Sequence, residues 1–168
     1  RPVKARSTEA GLRGEPWRGA EAKAAVFWTD VEDEVYFDPS IGAFGQNVNI
    51  DRTRRTGIEW GVATRSGLID AHLNHAYTRA TFQSGFSMSG VGTNQKVSAG
   101  DTMPLVPEHR VSAGLVLRPA EGWSATLDEN CASSQFATGD EANSESKIPA
   151  YCVTNLGGAY ERAGWRLF

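Results

Sequence analysis

The side chains best equipped for chemistry in this chain are three histidines, two cysteines and two clusters of acidic and amide groups. His72, His75 and His109 stand at no metal-ligand spacing from carboxylates or cysteines, so a zinc-type centre is not expected. No Ser-His-Asp order or Cys-His pairing stands out. The chain is therefore expected to be no enzyme and to hold no cofactor. Asp140, Glu141, Asn143 and Glu145 crowd oxygen atoms into one segment. Such a set suits calcium, a hard cation that takes several oxygens, and solvated loop charge accounts for it equally well. The same pair of readings holds for Asp30, Glu32, Asp33 and Glu34. Gly90 to Lys96, GVGTNQK, has the glycines and lysine of a phosphate loop without its spacing or its strand-to-helix setting, and reads as a plain loop.

Cys131 and Cys152 leave two readings open by count alone, a disulfide or two idle thiols. They lie almost equally far from the middle of the segment 137–149. Hairpin pairing around that segment sets them opposite one another, and an oxidising compartment then permits a bond.

The elements that must carry these groups are strands. Eighteen glycines are dispersed through the 168 residues, and no long segment keeps apolar residues at three-and-four spacing, which argues against helices. The recurring period is two. Thr8, Ala10 and Leu12 alternate with Glu9, Gly11 and Arg13; Ala22, Ala24, Val26 and Trp28 form one face of the next segment. Ile58, Trp60 and Val62 alternate with Glu59, Gly61 and Ala63, and Ile69, Ala71, Leu73 and Tyr77 oppose Asp70, His72, Asn74 and Thr78. Val111, Ala113, Leu115 and Leu117 continue the pattern, followed by Trp123, Ala125 and Leu127, then Leu156, Gly158 and Tyr160. Trp165 to Phe168 begins one more strand. Each reads as half-buried.

No run approaches the roughly 18 apolar residues of a transmembrane helix, and the mean hydropathy is negative. That balance is also what a membrane barrel strand gives, because lipid-facing and lumen-facing residues alternate. The net charge of −3 is small and the basic residues are scattered, so nucleic acid is not an expected partner. No composition shift divides the chain into two domains. It starts with neither an initiator Met nor a signal segment, and Arg1 reads as an interior cut of a longer chain.

The connections favour the barrel. Short turns at Gly14 to Gly19, Ser66-Gly67, Pro119 to Gly122 and Arg162 to Gly164 alternate with long loops at Asp38 to Val48, Gln83 to Pro107 and Ala137 to Pro149. An up-and-down membrane barrel has short periplasmic turns at one rim and long extracellular loops at the other. Trp17, Trp123 and Trp165 lie at the short turns, and Tyr36, Phe37, Tyr77, Phe82 and Phe136 toward the loops, as two interfacial girdles would have them. The strands run about ten residues or more, enough to cross the hydrocarbon layer at a tilt.

On that reading Asp51, Arg55, Glu59, Arg65, Asp70, His72 and Asn74 face a polar lumen. Arg52 and Arg54 share the outward parity of Ile58 and Trp60 but lie above the apolar band, where they could meet lipopolysaccharide phosphates or simply extend a solvated strand. Glu129 falls on the outward face of its strand, and the cost of a lipid-facing charge there places it close to the outer rim.

Several strings then become recognisable. Tyr36-Phe37-Asp38-Pro39, the run from Asn49 to Glu59, Pro104 to Arg110, and Gly139 to Asn143 followed by Ile148-Pro149-Ala150-Tyr151 resemble the C-terminal barrel half of TonB-dependent receptors, as does Thr8 to Arg13. The resemblance covers almost the whole chain, although Glu129, Cys131 and Cys152 depart from the residues usual at their positions. It implies an all-β, antiparallel up-and-down transmembrane segment, seven to eight strands of a barrel of about 22, with residues 1–168 as a partial domain lacking the plug and the final strands. It implies the outer membrane of a Gram-negative bacterium and uptake of a scarce nutrient, a ferric siderophore, a similar chelate or a vitamin. The implied partners are outer-membrane lipid and lipopolysaccharide, the nutrient, and TonB acting through the parent's plug. The alternatives are a self-contained small outer-membrane barrel and a soluble carbohydrate-binding β-sandwich.

Overall fold

The computed structural model describes residues 1–38, 41, 43–89 and 94–168. Among them are ten strands and no helix: β1 (Lys4–Gly14), β2 (Ala20–Asp38), β3 (Gln46–Arg65), β4 (Ile69–Phe82), β5 (Phe86–Ser89), β6 (Asn94–Val97), β7 (His109–Leu117), β8 (Trp123–Ala132), β9 (Tyr151–Arg162) and β10 (Trp165–Leu167). Eight form one sheet in the order β1-β2-β3-β4-β7-β8-β9-β10. Every pair in it is antiparallel, so the sheet is a meander as the alternation predicts. β1 and β10 are its two edges, and the barrel is not closed within this chain. Among the described residues no second large sheet packs against it, which excludes the β-sandwich.

The two faces differ in chemistry. Trp28 and Arg54 touch across β2 and β3, and Trp60 and His75 across β3 and β4. These contacts, with the cross-strand register, put Val26, Ile58, Tyr77, Leu115 and Leu127 on that same face. The opposite face carries Glu9, Arg13, Lys23, Glu59, Asn74, Arg110, Ser112 and Asn130, which line one continuous cavity of about 1120 Å³ reaching from β1 to β9. A single cavity can span so many strands of one sheet only if that face is concave. The polar side is therefore inside and the apolar side outside, the reverse of a soluble protein.

The long connection after β4 is not the structureless loop that its sequence indicates. β5 and β6 pair as a hairpin inside it, and Asn94, Gln95 and Lys96 of the glycine-rich string belong to β6; Gly90 to Thr93 lie outside the described residues. β7 pairs with β4 only as far as Tyr77, which leaves the last part of β4, still paired with β3 on its other side, without a strand on this one. Residues 100–103 fill that place: Phe82 N donates to Asp101 O at 2.9 Å and Met103 N to Ala80 O at 2.9 Å. The arrangement buries Ile50, Ala80, Phe82, Val97 and Met103, with Tyr36, Phe86 and Val106 against them. The apolar core thus sits at the long-loop end of the inner face.

This core also corrects the facing of one residue. Thr53 pairs with Phe82 and, three positions away, Ile50 packs in the same cluster. Strict alternation would send the two to opposite faces. The slip falls at Asp33, whose φ is +54°, and at Asp51 beside it on β3. Parity therefore does not carry Asp51 into the lumen, and the side chain is exposed. The pairing register is the same on both sides, Glu32 opposite Arg52 and Glu34 opposite Ile50, so what changes is the facing of the side chains, where β2 and β3 rise past the rest of the sheet.

Candidate functional site on the concave face

Glycines make the inner face deep enough to hold its polar side chains. A Cβ on Gly61 would stand 2.3 Å from Asn74 Oδ1, and one on Gly114 would stand 2.2 Å from the His72 ring and 3.0 Å from Asp128 Oδ1. Asn74 and His72 therefore lie flat over glycines of the neighbouring strands, His72 beside Asp128. On Gly57 a Cβ would meet both the Phe27 ring and the Tyr77 carbonyl oxygen.

Opposite charges meet across strands on this face. Arg55 Nη2 donates to Glu34 Oε1 at 2.6 Å, and its Nη1 reaches Oε2 at 3.2 Å; Thr53 Oγ1 donates to the same carboxylate. Arg13 meets Glu21 at 2.8 Å, and at the short-turn rim Arg118 holds Asp70 at 2.8 Å. Glu59 and Asn74 line the cavity itself, whereas Arg65 and Asp70 stand lower, around a smaller hollow that also takes in His72 and Asp128. The seven residues expected in the lumen thus do not form one cluster. Two line the main cavity, three the lower hollow, Arg55 is tied to Glu34, and Asp51 lies at the slip.

The acidic loop is a latch. Asp140 accepts from Ser144 N, Ser144 Oγ and Glu145 N, an Asx-type turn within its own segment. Asn143 exchanges bonds with Thr102, its Oδ1 accepting at 2.6 Å and its Nδ2 donating at 2.9 Å. Gln95 of β6 donates to the Gly139 carbonyl and accepts from Ala142 N. Buried Glu141 accepts from the Tyr36 hydroxyl at 2.9 Å and from Gly139 N at 3.1 Å. Burial first, and then the charge of Glu141, pushes the Tyr36 phenol well above its ordinary range. Asp140, Glu141 and Glu145 do not bring their carboxylates together within ligating distance. This geometry does not assemble the set of oxygens that calcium takes: Asp140 caps its own turn, and Glu141 Oε1 accepts from Tyr36 and from Gly139 N.

Other expected residues lie on the outer face. Arg54 Nε donates to Asp30 at 2.7 Å with its guanidinium 4.4 Å over Trp28, and Arg52 stands 3.8 Å from Glu32. Cys131 and Cys152 pair directly across β8 and β9 with Cα atoms 4.1 Å apart and are joined as a disulfide. Glu129 is not at the rim: it lies six positions above Trp123 in β8, level with Ala113 and Thr154, and takes a hydrogen bond from the Thr154 hydroxyl. That bond supplies part of the solvation that height would have supplied.

Two contacts escape a one-dimensional reading. His75 Nε2 and His109 Nδ1 lie 3.1 Å apart, the rings tilted by only 14°, with Trp60 and Tyr77 on either side. Only the offset between β4 and β7 joins residues 34 positions apart. The Tyr36–Glu141 bond is likewise set by loop folding, and no local spacing signals it.

A family model described as TonB dependent receptor-like, beta-barrel, matches residues 1–168. Among solved structures the chain is similar to the copper transporter OprC, at 18% identity and a TM-score of 0.68 over 97% of this chain and 24% of that one. It is similar to the ferric-catecholate import receptor Fiu from K12 E. coli in its closed form, at 21% identity and a TM-score of 0.68 over 96% of this chain and 22% of that one. The ferric yersiniabactin uptake receptor FyuA from Yersinia pestis matches at 17% identity and a TM-score of 0.70 over 94% of this chain and 22% of that one. At these identities the likeness is one of fold. The chain spans about a quarter of the length of these structures.

Proposed function

This chain belongs to the TonB dependent receptor-like β-barrel family over its whole length, and from that premise we propose that it is part of the wall of an outer-membrane receptor importing a scarce nutrient. Members of the family are receptors and transporters, not enzymes. The observation that carries the reading is the inversion of the sheet, apolar outside and polar within, with the long loops gathered at one end. A wall of this kind meets lipid on one side and a wet lumen on the other.

The nutrient class that fits is a metal chelate such as a ferric siderophore. The similar solved structures are receptors named for ferric chelates and a transporter named for copper, and the concave face offers both carboxylates and guanidinium groups to a polar, multidentate ligand. In this reading the long loops and the upper concave face catch the ligand, and the lower polar face seats the plug of the parent protein. TonB pulls that plug to release the nutrient inward. The wall itself holds position and excludes lipid; the chemistry it supplies is electrostatic and steric.

The test is uptake by the intact receptor. A strain lacking it should lose accumulation of at least one radiolabelled ferric chelate or copper complex, and should regain it from the full-length gene but not in a strain without TonB. Unchanged accumulation of every chelate and of vitamin B12 would remove the import reading.

A further inference from the structure

Glu129 and His75 both belong to the outer face, within its apolar band. Glu129 lies six positions above Trp123, where β8 leaves its short turn, and His75 lies six above Ile69, where β4 leaves its own. Six residues at about 3.3 Å each, tilted by about 40°, rise about 15 Å, well inside the band of about 25 Å that an outer-membrane barrel presents to lipid. The two side chains thus stand at one height, on β8 and β4, with β7 between them. Two strand spacings, about 10 Å, keep them from meeting within one chain.

Neither is fully partnered. Glu129 accepts from the Thr154 hydroxyl and has no cation at ion-pair distance among the described residues. His75 Nε2 is bonded to His109 Nδ1 at 3.1 Å, and His75 Nδ1 has no hydrogen-bond partner among the described residues. When His109 donates in that pair, the proton of a neutral His75 sits on Nδ1 and needs an acceptor. Lipid tails supply neither a cation nor an acceptor, so ionisable groups held at this depth call for a further partner.

We infer that the outer face over β7 is an interface between two copies of this barrel, in which Glu129 of each copy accepts a hydrogen bond from His75 of the other. A two-fold axis along the membrane normal keeps every residue at its own height and makes each contact twice. Passing over β7 between Val111 and Ala113, it lays β4 of one copy against β8 of the other, which brings each carboxylate to an imidazole. Ala113, directly opposite Glu129 in the pairing of β7 and β8, carries only a methyl group and lets the two walls come close. Two strands out from the axis, β3 of one copy comes over β9 of the other. There the exposed Trp60 side chain meets a hollow of about 500 Å³ lined by Leu127, Leu156 and Gly158. A bulky ring on one surface thus fills a recess on the other, where two convex walls begin to part. The inference rests on the outer-membrane reading above.

The test follows the mass of the full-length receptor in mild detergent against its concentration. The wild type should form dimers. Glu129→Gln and His75→Phe should each weaken self-association by about tenfold or more, since each removes both copies of the contact. An equimolar mixture of the two variants decides the pairing: the mixed dimer regains one intact Glu129–His75 contact and should form more tightly than either variant with itself. In native outer membranes a short bismaleimide should join Ala113→Cys to its like but not Ala24→Cys, which lies away from the axis on β2. A receptor that is monomeric in detergent and not cross-linked in membranes overturns the proposal without recourse to the charge variants. Unchanged association of both variants overturns it as well, and so does a mixture no tighter than its parents, or cross-linking of Ala113→Cys to a different protein only. Outer-membrane recovery, heat-modifiable migration and chelate uptake are measured separately for each variant, so misfolding and a failure of the import reading are both distinct from a failure here.

Discussion

The Tyr36 hydroxyl donates a 2.9 Å hydrogen bond to the buried carboxylate of Glu141, across 105 positions of chain. Tyr36 stands where β2 has risen past the membrane band, and its ring packs edge-on against Phe82 at 5.9 Å between centroids. One side chain therefore joins the apolar core under the long loop after β4 to the acidic loop between β8 and β9. The two loops are organised as one body.

Tyr36→Phe should keep the ring packing and remove the bond. A hydrogen bond to a charged partner contributes about 1.5–3 kcal/mol, and Glu141 would retain only the Gly139 amide. We expect amide exchange in residues 139–145 to accelerate by at least about tenfold, with exchange in β7 and β8 unchanged. Equal acceleration in both regions would show that the latch is not local.

The same pair sets an alkaline limit. The Tyr36 pKa is raised by burial and by Glu141, so above the ordinary phenol pKa of about 10 Tyr36 loses its proton first in the state with the loop undocked. The docking contribution is complete below that pH and is lost as pH rises beyond it. Loop protection measured against pH should fall above about 10 in the wild type, and the fall should be much shallower in Tyr36→Phe. Parallel curves would remove the phenol as the cause.

What was legible in the sequence follows from what repeats locally. Ile58, Trp60 and Val62 announce their strand because lipid demands an apolar side chain at every second position, and the turn at Ser66-Gly67 fixes where counting starts. Above the band that demand ends. β2 and β3 continue to Asp38 and back from Gln46, among charged residues whose alternation carries no sorting force, so strand looks like loop. The slip at Asp33 and Asp51 is invisible for the same reason. The disposition of Glu141, Asn143 and Gln95 is harder still, since each partner lies some 40 or more positions away. Acidic crowding at 140–145 is a local fact, and its cause is a distant contact.

Cys131 and Cys152 close a segment of 20 intervening residues at the base of the acidic loop. A cross-link over that length constrains the unfolded chain by about 3 kcal/mol. Reduction, or the double variant Cys131→Ser/Cys152→Ser, should destabilise the loop-side end of the β8–β9 pair by that order. Exchange at Asn130 and Val153 should speed up, whereas Leu127 and Leu156, lower on the same strands, should change little. No change at Asn130 would mean that the cross-strand hydrogen bonds alone hold this end.

Gly57 is expected to be the least replaceable of the inner glycines. A Cβ there would stand 2.2 Å from the Tyr77 carbonyl oxygen and 2.5 Å from the Phe27 ring. A ring can swing aside, but backbone moves only with its strand, so Gly57→Ala should cost about 1–3 kcal/mol. Adding Phe27→Ala should relieve only part of it. Gly114→Ala meets the ends of His72 and Asp128 and should cost less. Urea unfolding of the folded receptor in detergent ranks the variants; full rescue of Gly57→Ala by Phe27→Ala would refute the backbone clash.

The orientation of the wall is open to direct labelling. Both cysteines are bonded and none is free among the described residues, so a single introduced cysteine reports its own exposure against this segment's silent background. Phe44, which is 95% exposed, lies in the connection between β2 and β3, and Ser66 lies in the short turn between β3 and β4. If the long loops face the medium, Phe44→Cys is modified by a membrane-impermeant maleimide on intact cells. Ser66→Cys is then modified only after the outer membrane is permeabilised. The two positions are separated by the length of β3, too far for a tilt of the barrel to exchange them. Labelling of Ser66→Cys alone on intact cells would invert the wall, and the acidic loop held by Tyr36 would then face the periplasm.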